Sequence, residues 1–355
     1  MRPTFRLIAD GADITANIKD RLLSLSYKDE AELKSDRLSV RLDDRPRRED
    51  GTYVALPEIG ATLELHLGYV ETGTTAMGSF TVDEIKRSGP VAVLEIGAKA
   101  AGMDGPFRSQ TSKSWTDATL GDIARTIARE HGFEAKIEQA LGGVRIPHAD
   151  QTNESPMAFL NRLAGQHDGI AKPANGMLVL APKGTAKAVT GQDLPGVTVR
   201  PADLSTWSYS YSARKEAGQA GGKGGPAGGV QSAYWDKDEA RMVTVQEGEP
   251  PYQNVRFASS NPGEAGAAAA ATKNGKDREK AKFSAAATGN SKFMAEQRMT
   301  LSGFRPGIPT DWRVTSVEHR LDGNGYSCSI EAELFNERQA DVAAKASGDA
   351  VRSKD

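Results

Sequence analysis

The stretch Ala61-Thr-Leu-Glu-Leu-His-Leu-Gly-Tyr69 alternates between two kinds of side chain over its length. Every second residue from Ala61 to Tyr69 is apolar or aromatic, whereas Thr62, Glu64 and His66 between them are polar. A period of two residues is typical of a β-strand that buries one face and exposes the other. This stretch therefore predicts one strand of a half-buried sheet.

The same alternation continues on both sides of this strand. Leu38, Val40 and Leu42 alternate with polar residues, and segments 80–85 and 92–98 repeat the pattern around the turn Ser88-Gly89-Pro90. Short strands at this spacing, separated by turn residues, favour a barrel or a small sandwich. We expect residues 1–105 to form a first β-barrel-like domain.

The hydrophobic period changes after residue 105 in a way that indicates helices. One predicted helix ends near Gly132, and its apolar stripe consists of Leu120, Ile123, Ala124, Ile127 and Ala128. A second begins with Ser155 as N-cap and Pro156 at the first helical position, and it ends near Gly169. Its stripe consists of Phe159, Leu160, Leu163 and Ala164. With a strand at 177–181, residues 106–205 are predicted to form an α/β insert.

Strands return after Trp207, with two segments of other character among them. Residues 218–229 are Gly-rich and are predicted to be a flexible loop, and Pro262 is predicted to begin an Ala-rich helix that runs towards Lys280. Further strands are predicted at 230–235, 242–246, 299–304, 312–321 and 326–334. We expect a second β-barrel-like domain at 206–338 and a polar C-terminal tail at 339–355. The predicted fold class is α+β, mainly β, with two barrel-like β domains flanking an α/β insert.

Two distant segments have similar sequences, Phe80-Thr-Val-Asp-Glu-Ile-Lys-Arg87 and Trp312-Arg-Val-Thr-Ser-Val-Glu-His319. Both contain an aromatic residue, then Val, then Ile or Val, then a basic or His residue at matching positions. Generic strand patterning and a true internal duplication both fit so short a similarity. If the duplication is real, three chains would present six similar domains around one axis. Such a ring could join a six-fold partner to a three-fold partner.

Composition narrows the function classes. Hydrophobic residues make up 38% of the 355 residues and charged residues 26%, which is typical of a folded globular protein. Lys and Arg number 45 against 47 Asp and Glu, so no broad basic field for nucleic acid is indicated. The sequence shows neither a signal peptide nor a stretch of roughly 18 apolar residues. Cys328 is the single cysteine, so we expect the chain to be made in a reducing cytoplasm. From the charge balance and the hydropathy we expect no specific nucleic acid partner and no membrane span.

Motifs for cofactors and metals are weak. The segment Gly222-Lys-Gly-Gly-Pro-Ala227 fits a loose phosphate-binding pattern, but no strand–loop–helix context surrounds it. The five histidines lack metal-ligand spacing and are interpreted as surface or helix-capping residues; they are His66, His131, His148, His167 and His319. His148 with Asp150 could serve a metal, and a loop position explains this pair equally well. We therefore predict no cofactor-binding and no metal-binding residues.

Candidates for catalysis are weaker still. Hydrolysis of a glycan needs two carboxylates across a cleft, but Asp83 with Glu84 and Asp43 with Asp44 are strand neighbours, which point to opposite faces. No G-x-S-x-G elbow occurs, and Cys328 falls on the apolar face of the strand predicted at 326–334, as expected of a buried, inert thiol. We predict no catalytic residues and no enzymatic activity.

Four tryptophans and one Arg-rich turn are candidate interface features. For each tryptophan a core position is favoured over an interface position; they are Trp115, Trp207, Trp235 and Trp312. The turn at 44–50 fits a solvated hairpin end, and it fits equally well a contact with an acidic rim on a partner.

An ordered set of segments runs through most of the chain, from about residue 3 to 335. The segments are Asp13-Ile-Thr, Arg21-Leu-Leu-Ser-Leu, Ser35-Asp-Arg-Leu, Leu42-Asp-Asp, Gly78-Ser-Phe-Thr-Val-Asp-Glu-Ile, Trp115-Thr-Asp-Ala-Thr-Leu-Gly-Asp-Ile, Ile127-Ala-Arg-Glu-His-Gly, Gln151-Thr-Asn-Glu-Ser, Ala158-Phe-Leu-Asn-Arg-Leu-Ala and Ser302-Gly-Phe-Arg-Pro. The set resembles the late control D proteins, the tail hubs of contractile-tailed phages. The same fold occurs in R-type pyocin hubs and in the amino-terminal part of type VI secretion spike proteins. The Gly-rich stretch at 218–229 departs from the family pattern.

The resemblance implies a homotrimer whose barrel-like domains form a pseudo-six-fold ring, starting the tail tube on one side and holding the spike on the other. Implied partners are a tail tube or tube-initiator protein and a separate spike protein, since the chain lacks the long needle of fused spikes. Tape measure and baseplate wedge proteins are further candidates. The protein would be assembled into a virion or pyocin-like particle at the tail baseplate. Two alternatives stay open, a tail-tip cell-wall hydrolase and a carbohydrate-binding tail module; the aromatic content of 6% speaks against the second.

Overall fold

The computed structural model describes residues 1–31, 35–46, 51–100, 107, 109–174, 176–183, 194–212, 228–237, 239–256 and 258–335. The first part of the chain contains the elements β1 (Pro3–Ala9), β2 (Ala12–Asp13), α1 (Thr15–Ile18), β3 (Leu22–Glu30), β4 (Arg37–Asp43), β5 (Thr62–Tyr69), β6 (Gly73–Ser88) and β7 (Val93–Ala100). The middle part contains β8 (Thr111–Thr119), α2 (Leu120–Glu130), β9 (Glu134–Ile137), α3 (Gln139–Gly142), β10 (Arg145–Glu154), α4 (Pro156–Gln166), β11 (Gly169–Ala174) and β12 (Met177–Pro182). The last part contains β13 (Val197–Val199), β14 (Leu204–Tyr211), β15 (Gly229–Asp236), β16 (Arg241–Gly248), β17 (Tyr252–Asn254), α5 (Pro262–Glu279), β18 (Ala281–Thr288), β19 (Arg298–Leu301), β20 (Asp311–Asp322) and β21 (Gly325–Leu334).

One sheet of 13 strands dominates the molecule and takes strands from both ends of the chain. Its order is β14-β18-β21-β20-β3-β4-β7-β6-β5-β1-β2, with β19 on the first half of β20 and β13 on β19. The main hydrophobic core lies on this sheet and combines Leu65 and Phe80 with Trp312 and Ile330. The mainly β prediction is confirmed. The predicted boundaries at 105/106 and 205/206 stay predictions, although β13, before residue 206, already belongs to the large sheet.

The large sheet contains the same arrangement of strands twice. The first copy has the order β3-β4-β7-β6-β5-β1 and the second has the order β14-β18-β21-β20-β19-β13. All neighbours within each copy are antiparallel except the outermost pair of the second, since β13 runs parallel to β19 while β1 runs antiparallel to β5.

The two copies also share their irregularities. A β-bulge follows Val82 in β6, and another follows Val314 at the corresponding position of β20. A second pair of bulges follows Leu22 in β3 and Leu204 in β14, and a short 3₁₀ turn precedes each of these strands. A bulge adds one residue to one strand and fixes the local register. Four bulges at matching places favour an internal duplication over generic strand patterning.

Strands β3 and β20 join the two copies. Ser316–Asp322 pair antiparallel with Ser24–Glu30, and the ring of Tyr27 stacks on that of His319 with centroids 5.6 Å apart. Tyr27 also makes an edge contact with Phe80 at 5.4 Å. We call the paired segments Ser24–Glu30 and Ser316–Asp322 the β3–β20 junction. This junction makes the two copies one continuous sheet.

The α/β part has a core of its own beside the large sheet. Helices α2 and α4 pack on the sheet β11-β12-β9 and the pair β8–β10. The side chain of Thr119 caps α2, and Ser155 caps α4 ahead of Pro156, so the second predicted helix start is confirmed. Gly132 has φ +74°, which ends α2 as predicted because glycine adopts the left-handed conformation without strain.

Two charged contacts attach the α/β part to the rest of the molecule, one to the large sheet and one to α5. Lys172 in β11 lies 2.8 Å from a carboxylate oxygen of Asp36, and it also donates to the carbonyl of Glu30. On the other side the buried Asp168 accepts hydrogen bonds from Arg278 of α5 at 2.7 and 3.0 Å. A buried charge needs a partner of opposite charge, and in each pair one member lies in the α/β part and the other outside it. The two pairs therefore fix how the α/β part sits on its neighbours.

Helix α5 and the small sheet β16-β15-β17 complete the fold. The helix begins at Pro262, with Asn261 as its N-cap, and runs to Glu279, as predicted. The predicted strands at 230–235 and 242–246 are confirmed as β15 and β16. Most of the Gly-rich stretch 218–229 and the predicted tail at 339–355 lie outside the described residues.

Replacement of Trp312 tests the importance of the shared core. Trp312 is fully buried and Trp235 is 52% exposed. Because truncation of a buried aromatic side chain leaves a cavity, Trp312→Ala should lower the free energy of unfolding by about 3–5 kcal/mol. The matched variant Trp235→Ala should lower it by less than about 1 kcal/mol. Denaturant unfolding measures both, and equal losses would contradict the assignment of Trp312 to the core.

A carboxyl group at the β3–β20 junction should make stability depend on pH. Burial, and then the nearby Asp36 carboxylate, raise the pKa of Asp29 to about 6, against the effect of Lys172 and a hydrogen bond from the Ala295 backbone. A raised pKa destabilises the folded state once the group ionises, so this contribution is favourable below pH 4 and is lost as the pH rises through 6. Asp29→Asn should therefore gain stability over the wild type, with the difference growing from pH 4 to 6 to on the order of 1–3 kcal/mol.

Urea unfolding of both proteins at several pH values measures this difference. A difference that stays constant between pH 4 and 7 would show that Asp29 does not titrate in that window.

Candidate assembly interface

Besides the outermost strands β1, β2 and β13, two further edges of the large sheet carry no second strand within the described residues. Strand β14 pairs only with β18, and the Glu84–Ser88 end of β6 pairs only with β7. Such edges present rows of backbone N–H and C=O groups that another strand can bind. We call them the β14 edge and the β6 edge.

The β14 edge has the composition of a contact surface. Its residues Leu204–Tyr211 include no charged side chain, while Trp207 and Tyr211 are 42% and 62% exposed. Exposed edge strands usually carry lysine, proline or other features that prevent pairing, because an open apolar edge aggregates. An uncharged edge with aromatic side chains is therefore expected to have a partner.

Sequence reasoning did not identify the β14 edge as a contact surface, although a signal was present. Leu22-Leu-Ser-Leu-Ser-Tyr27 of β3 matches Leu204-Ser-Thr-Trp-Ser-Tyr209 of β14 at four of six positions when Ser and Thr are counted together. The two strands hold the same place in the two copies of the arrangement.

The adjacent acids Asp83 and Glu84 lie in a geometry that the sequence did not predict. The bulge after Val82 brings both side chains to the same face of Gly97 instead of opposite faces, so that part of the prediction was wrong. Asp83 pairs with Lys99, and Glu84 lies 2.9 Å from Lys86. Each acid thus has its own cation, which is the arrangement of a solvated ion pair.

The acids Asp43 and Asp44 are also engaged. Hydrogen bonds from Arg45 lower the pKa of Asp43 to about 2, and Asp44 lies 3.6 Å from Arg87. An acid that must donate a proton at neutral pH needs a raised pKa, and Asp43 has the opposite shift. The rest of the Arg-rich turn, residues 47–50, lies outside the described residues.

His148 and Asp150 form a pair on the surface. They lie in strand β10 and not in a loop, with 3.1 Å between the ring nitrogen and a carboxylate oxygen, and Ser114 donates to the same carboxylate. Within the described residues, no three His, Cys, Asp or Glu side chains are placed to hold a metal ion. The pair is an exposed hydrogen bond within β10, and the bond from Ser114 links it to β8.

The remaining histidines occupy three kinds of environment. His66 lies half-buried on β5, and His131 follows the end of α2, as predicted. His167 caps α4 at its carboxyl end, where burial lowers its pKa. It lines a shallow cleft of about 470 Å³ together with Asp117, Val144, Arg145, Ile146, Pro147, Asn261, Gly263 and Glu264.

His319 is not a surface or capping residue, and that interpretation was wrong. It is fully buried at the β3–β20 junction, where Nε2 donates to the Phe293 carbonyl at 3.1 Å. Because a carbonyl only accepts, the proton sits on Nε2, and Nδ1 accepts from the Tyr326 hydroxyl at 2.8 Å. Burial lowers the pKa of His319 to about 4, so the ring is neutral at pH 7.

Cys328 lies beside this histidine and matches its prediction. The thiol is fully buried, with its sulfur 3.2 Å from His319 Nδ1, and burial raises its pKa to about 11. A neutral imidazole and a protonated thiol do not form the ion pair of a nucleophilic cysteine. The group stabilises the core by hydrogen bonds.

The tryptophans divide evenly between core and surface. Trp312 and Trp115 are buried, as predicted, whereas Trp207 and Trp235 are about half exposed, so a core position was wrong for these two. One face of the Trp207 ring packs on Phe283 with centroids 6.2 Å apart, and the rest of the ring is exposed at the β14 edge.

The loose phosphate-binding segment 222–227 lies outside the described residues.

Across the described part of the chain, no helix is both long and apolar enough to cross a membrane.

Comparison with known proteins relates most of the chain to phage tail proteins. The family model described as phage tail baseplate hub (GPD) matches residues 39–325. A probable baseplate hub protein of Escherichia phage P2 is 30% identical over 94% of this chain and 94% of its own length. A probable baseplate hub protein of Escherichia phage 186 is 34% identical over 60% of this chain and 54% of its own length.

Solved structures share the fold at much lower identity. A tail protein of Neisseria meningitidis superposes with a TM-score of 0.70 at 9% identity, covering 94% of this chain and 97% of its own. The 43 kDa tail protein of prophage MuSo2 from Shewanella oneidensis gives 0.67 at 14% identity, covering 93% and 98%. An Escherichia coli component of the type VI secretion system gives 0.55 at 12% identity, covering 90% and 74%.

The family match spans most of the large sheet, from β4 to the start of β21, together with the α/β part between its two copies. The phage P2 relative extends the similarity to nearly the full length of both proteins. The chain therefore belongs to the phage tail baseplate hub (GPD) family.

Proposed function

We propose that three copies of this hub protein form a closed ring of six similar β units, which joins a six-fold tail tube to a three-fold spike. The observation that carries the proposal is the strand-by-strand duplication of the large sheet, including its bulges. A chain with two similar units makes a three-fold assembly that is close to six-fold in shape. Each face of such a ring can then match a partner of a different symmetry.

The partners follow from this place in the tail. We propose a separate spike protein on one face and the tail tube, or a protein that initiates it, on the other, with tape measure and baseplate wedge proteins nearby. The Escherichia coli component of the type VI secretion system has the same fold, which supports a role common to contractile systems. We further propose that the chain is made in the cytoplasm and then enters the virion baseplate.

The role of the ring is mechanical and not catalytic. Contraction loads the hub along its axis, and a continuous sheet spreads load over many backbone hydrogen bonds at once. Support comes from the candidate acids, since Asp83 and Glu84 each pair with a lysine, and from the protonated Cys328 thiol. A tail-tip hydrolase gains no support from these groups.

The assembly is tested by the mass of the purified protein in solution. Light scattering should give three times the chain mass for the protein alone, or three times the chain mass plus the mass of the bound spike for the protein with its co-expressed spike protein. A chain that stays monomeric in both would contradict the ring.

Enzymatic activity is tested with purified peptidoglycan. We expect no release of soluble fragments by the hub at concentrations where lysozyme, as the positive control, clears the substrate. If cleavage occurs, the double variant Asp83→Asn with Glu84→Gln shows whether these acids cause it, and its loss in that variant would contradict the mechanical role.

A further inference from the structure

The β3–β20 junction shows how one β unit of this protein binds another. The second half of β20 lies alongside β3, with His319 opposite Tyr27 and Val317 opposite Asp29. The junction buries the side chains on the inner face of the sheet, namely those of Leu25, Tyr27, Val317 and His319. The junction thus uses one particular edge from each of the two copies.

The same two edges occur a second time, and in the part of the chain that the structure describes neither has a further strand beside it. Strand β6 corresponds to β20, with its bulge after Val82 in place of the bulge after Val314. Strand β14 corresponds to β3, with its bulge after Leu204 in place of the bulge after Leu22. The β6 edge and the β14 edge are therefore the unpaired equivalents of the edges that meet in the junction.

Exposure differs between the two occurrences in the direction that a missing partner predicts. Leu25 in β3 is fully buried, whereas its equivalent Trp207 in β14 is 42% exposed. His319 in β20 is fully buried, whereas the side chain of its equivalent Arg87 is 58% exposed. In each pair the residue in the junction is covered and its counterpart on the open edge is not.

We propose that β14 of one copy of this chain pairs antiparallel with Glu84–Ser88 of β6 in the next copy, in the register of the β3–β20 junction. Transfer of that register places Glu84 opposite Ser212, Lys86 opposite Ser210 and Ser88 opposite Ser208 of the partner subunit. Three junctions within chains then alternate with three between chains around the ring. The inference rests on the proposed trimer and identifies the strands that hold it together.

The side chains on the inner face suit this pairing. Ile85 lies opposite Tyr211 of the partner subunit, a β-branched residue against an aromatic one, which is a favourable cross-strand pair. Arg87 lies opposite the partner subunit's Tyr209, just as His319 lies opposite Tyr27 in the junction. The guanidinium of Arg87 can stack on the ring of Tyr209 of the partner subunit. No acid of the β6 edge faces another acid, because the β14 edge carries no charge.

The geometry of this contact makes a closed ring the natural product. The two edges are different surfaces, so each copy binds the next head to tail, and such contacts give rings when the rotation closes. Within one chain the two edges do not pair with each other. Each copy therefore offers one edge to each of its two neighbours.

A disulfide between neighbouring copies tests the strands and the register together. Lys86 and Ser210 are exposed and polar, so Lys86→Cys with Ser210→Cys should fold normally and place the two sulfurs directly across the new contact. The matched control, Lys86→Cys with Ser208→Cys, shifts one cysteine by two residues on the same face, to a Cα distance of roughly 7–8 Å that a disulfide does not span. Cys328 stays in both proteins because its thiol is buried.

The masses of both variants are measured first, with the spike protein present if the wild type needs it. After mild oxidation we expect most chains of the first variant to run as covalent dimers and trimers on a non-reducing gel, and the control to remain single chains. A trimer that links only in the control, or in neither variant, overturns this pairing and leaves the ring standing. A monomeric wild type overturns both.

Discussion

The pairing of β3 with β20 is the contact on which the rest of the structure depends. It joins residues almost 300 positions apart, as the hydrogen bond between Ser26 and Glu318 shows. Closing so long a loop costs conformational entropy, although this cost grows only slowly with loop length. The contact offsets it by burying Leu25, Tyr27 and Val317 and by making one core out of two. Without the junction, each copy of the strand arrangement would expose an apolar edge.

The junction also organises the polar groups that surround it. Tyr27 stacks on His319, whose two nitrogens are satisfied by Phe293 and Tyr326, and Asp29 lies against the backbone of Ala295. Each of these groups would be costly to bury alone, because an unsatisfied polar atom loses its hydrogen bonds to water. Their mutual bonds specify one register of β3 on β20. The attachment of the α/β part through Lys172 and Asp168 follows the same rule.

Because the strand arrangement is duplicated, the β3–β20 junction also indicates how one chain can bind another. Each unit carries one edge of each kind, so a chain of two units carries both kinds twice. The junction pairs one edge of each kind, and the other two have no further strand beside them in the described residues. The absence of charge on Leu204–Tyr211 and the exposure of its aromatic residues are unusual for a free edge and ordinary for a contact. In the proposed ring, such a hub would transmit force through the backbone hydrogen bonds of one continuous sheet.

The sequence by itself determined the local structure, the mainly β class and the family resemblance. Alternation found β4, β5, β7 and β21, and capping residues found α4 and α5, because these signals depend on neighbours a few residues apart. Strand β18 was missed since its inner face is largely alanine, which gives a weak hydrophobic signal. Only the tertiary structure decided that His319 is buried, that a bulge turns Asp83 and Glu84 to one face, and that β14 is an open edge. Each of these depends on which strands become neighbours, and that is set by contacts between residues far apart in the chain.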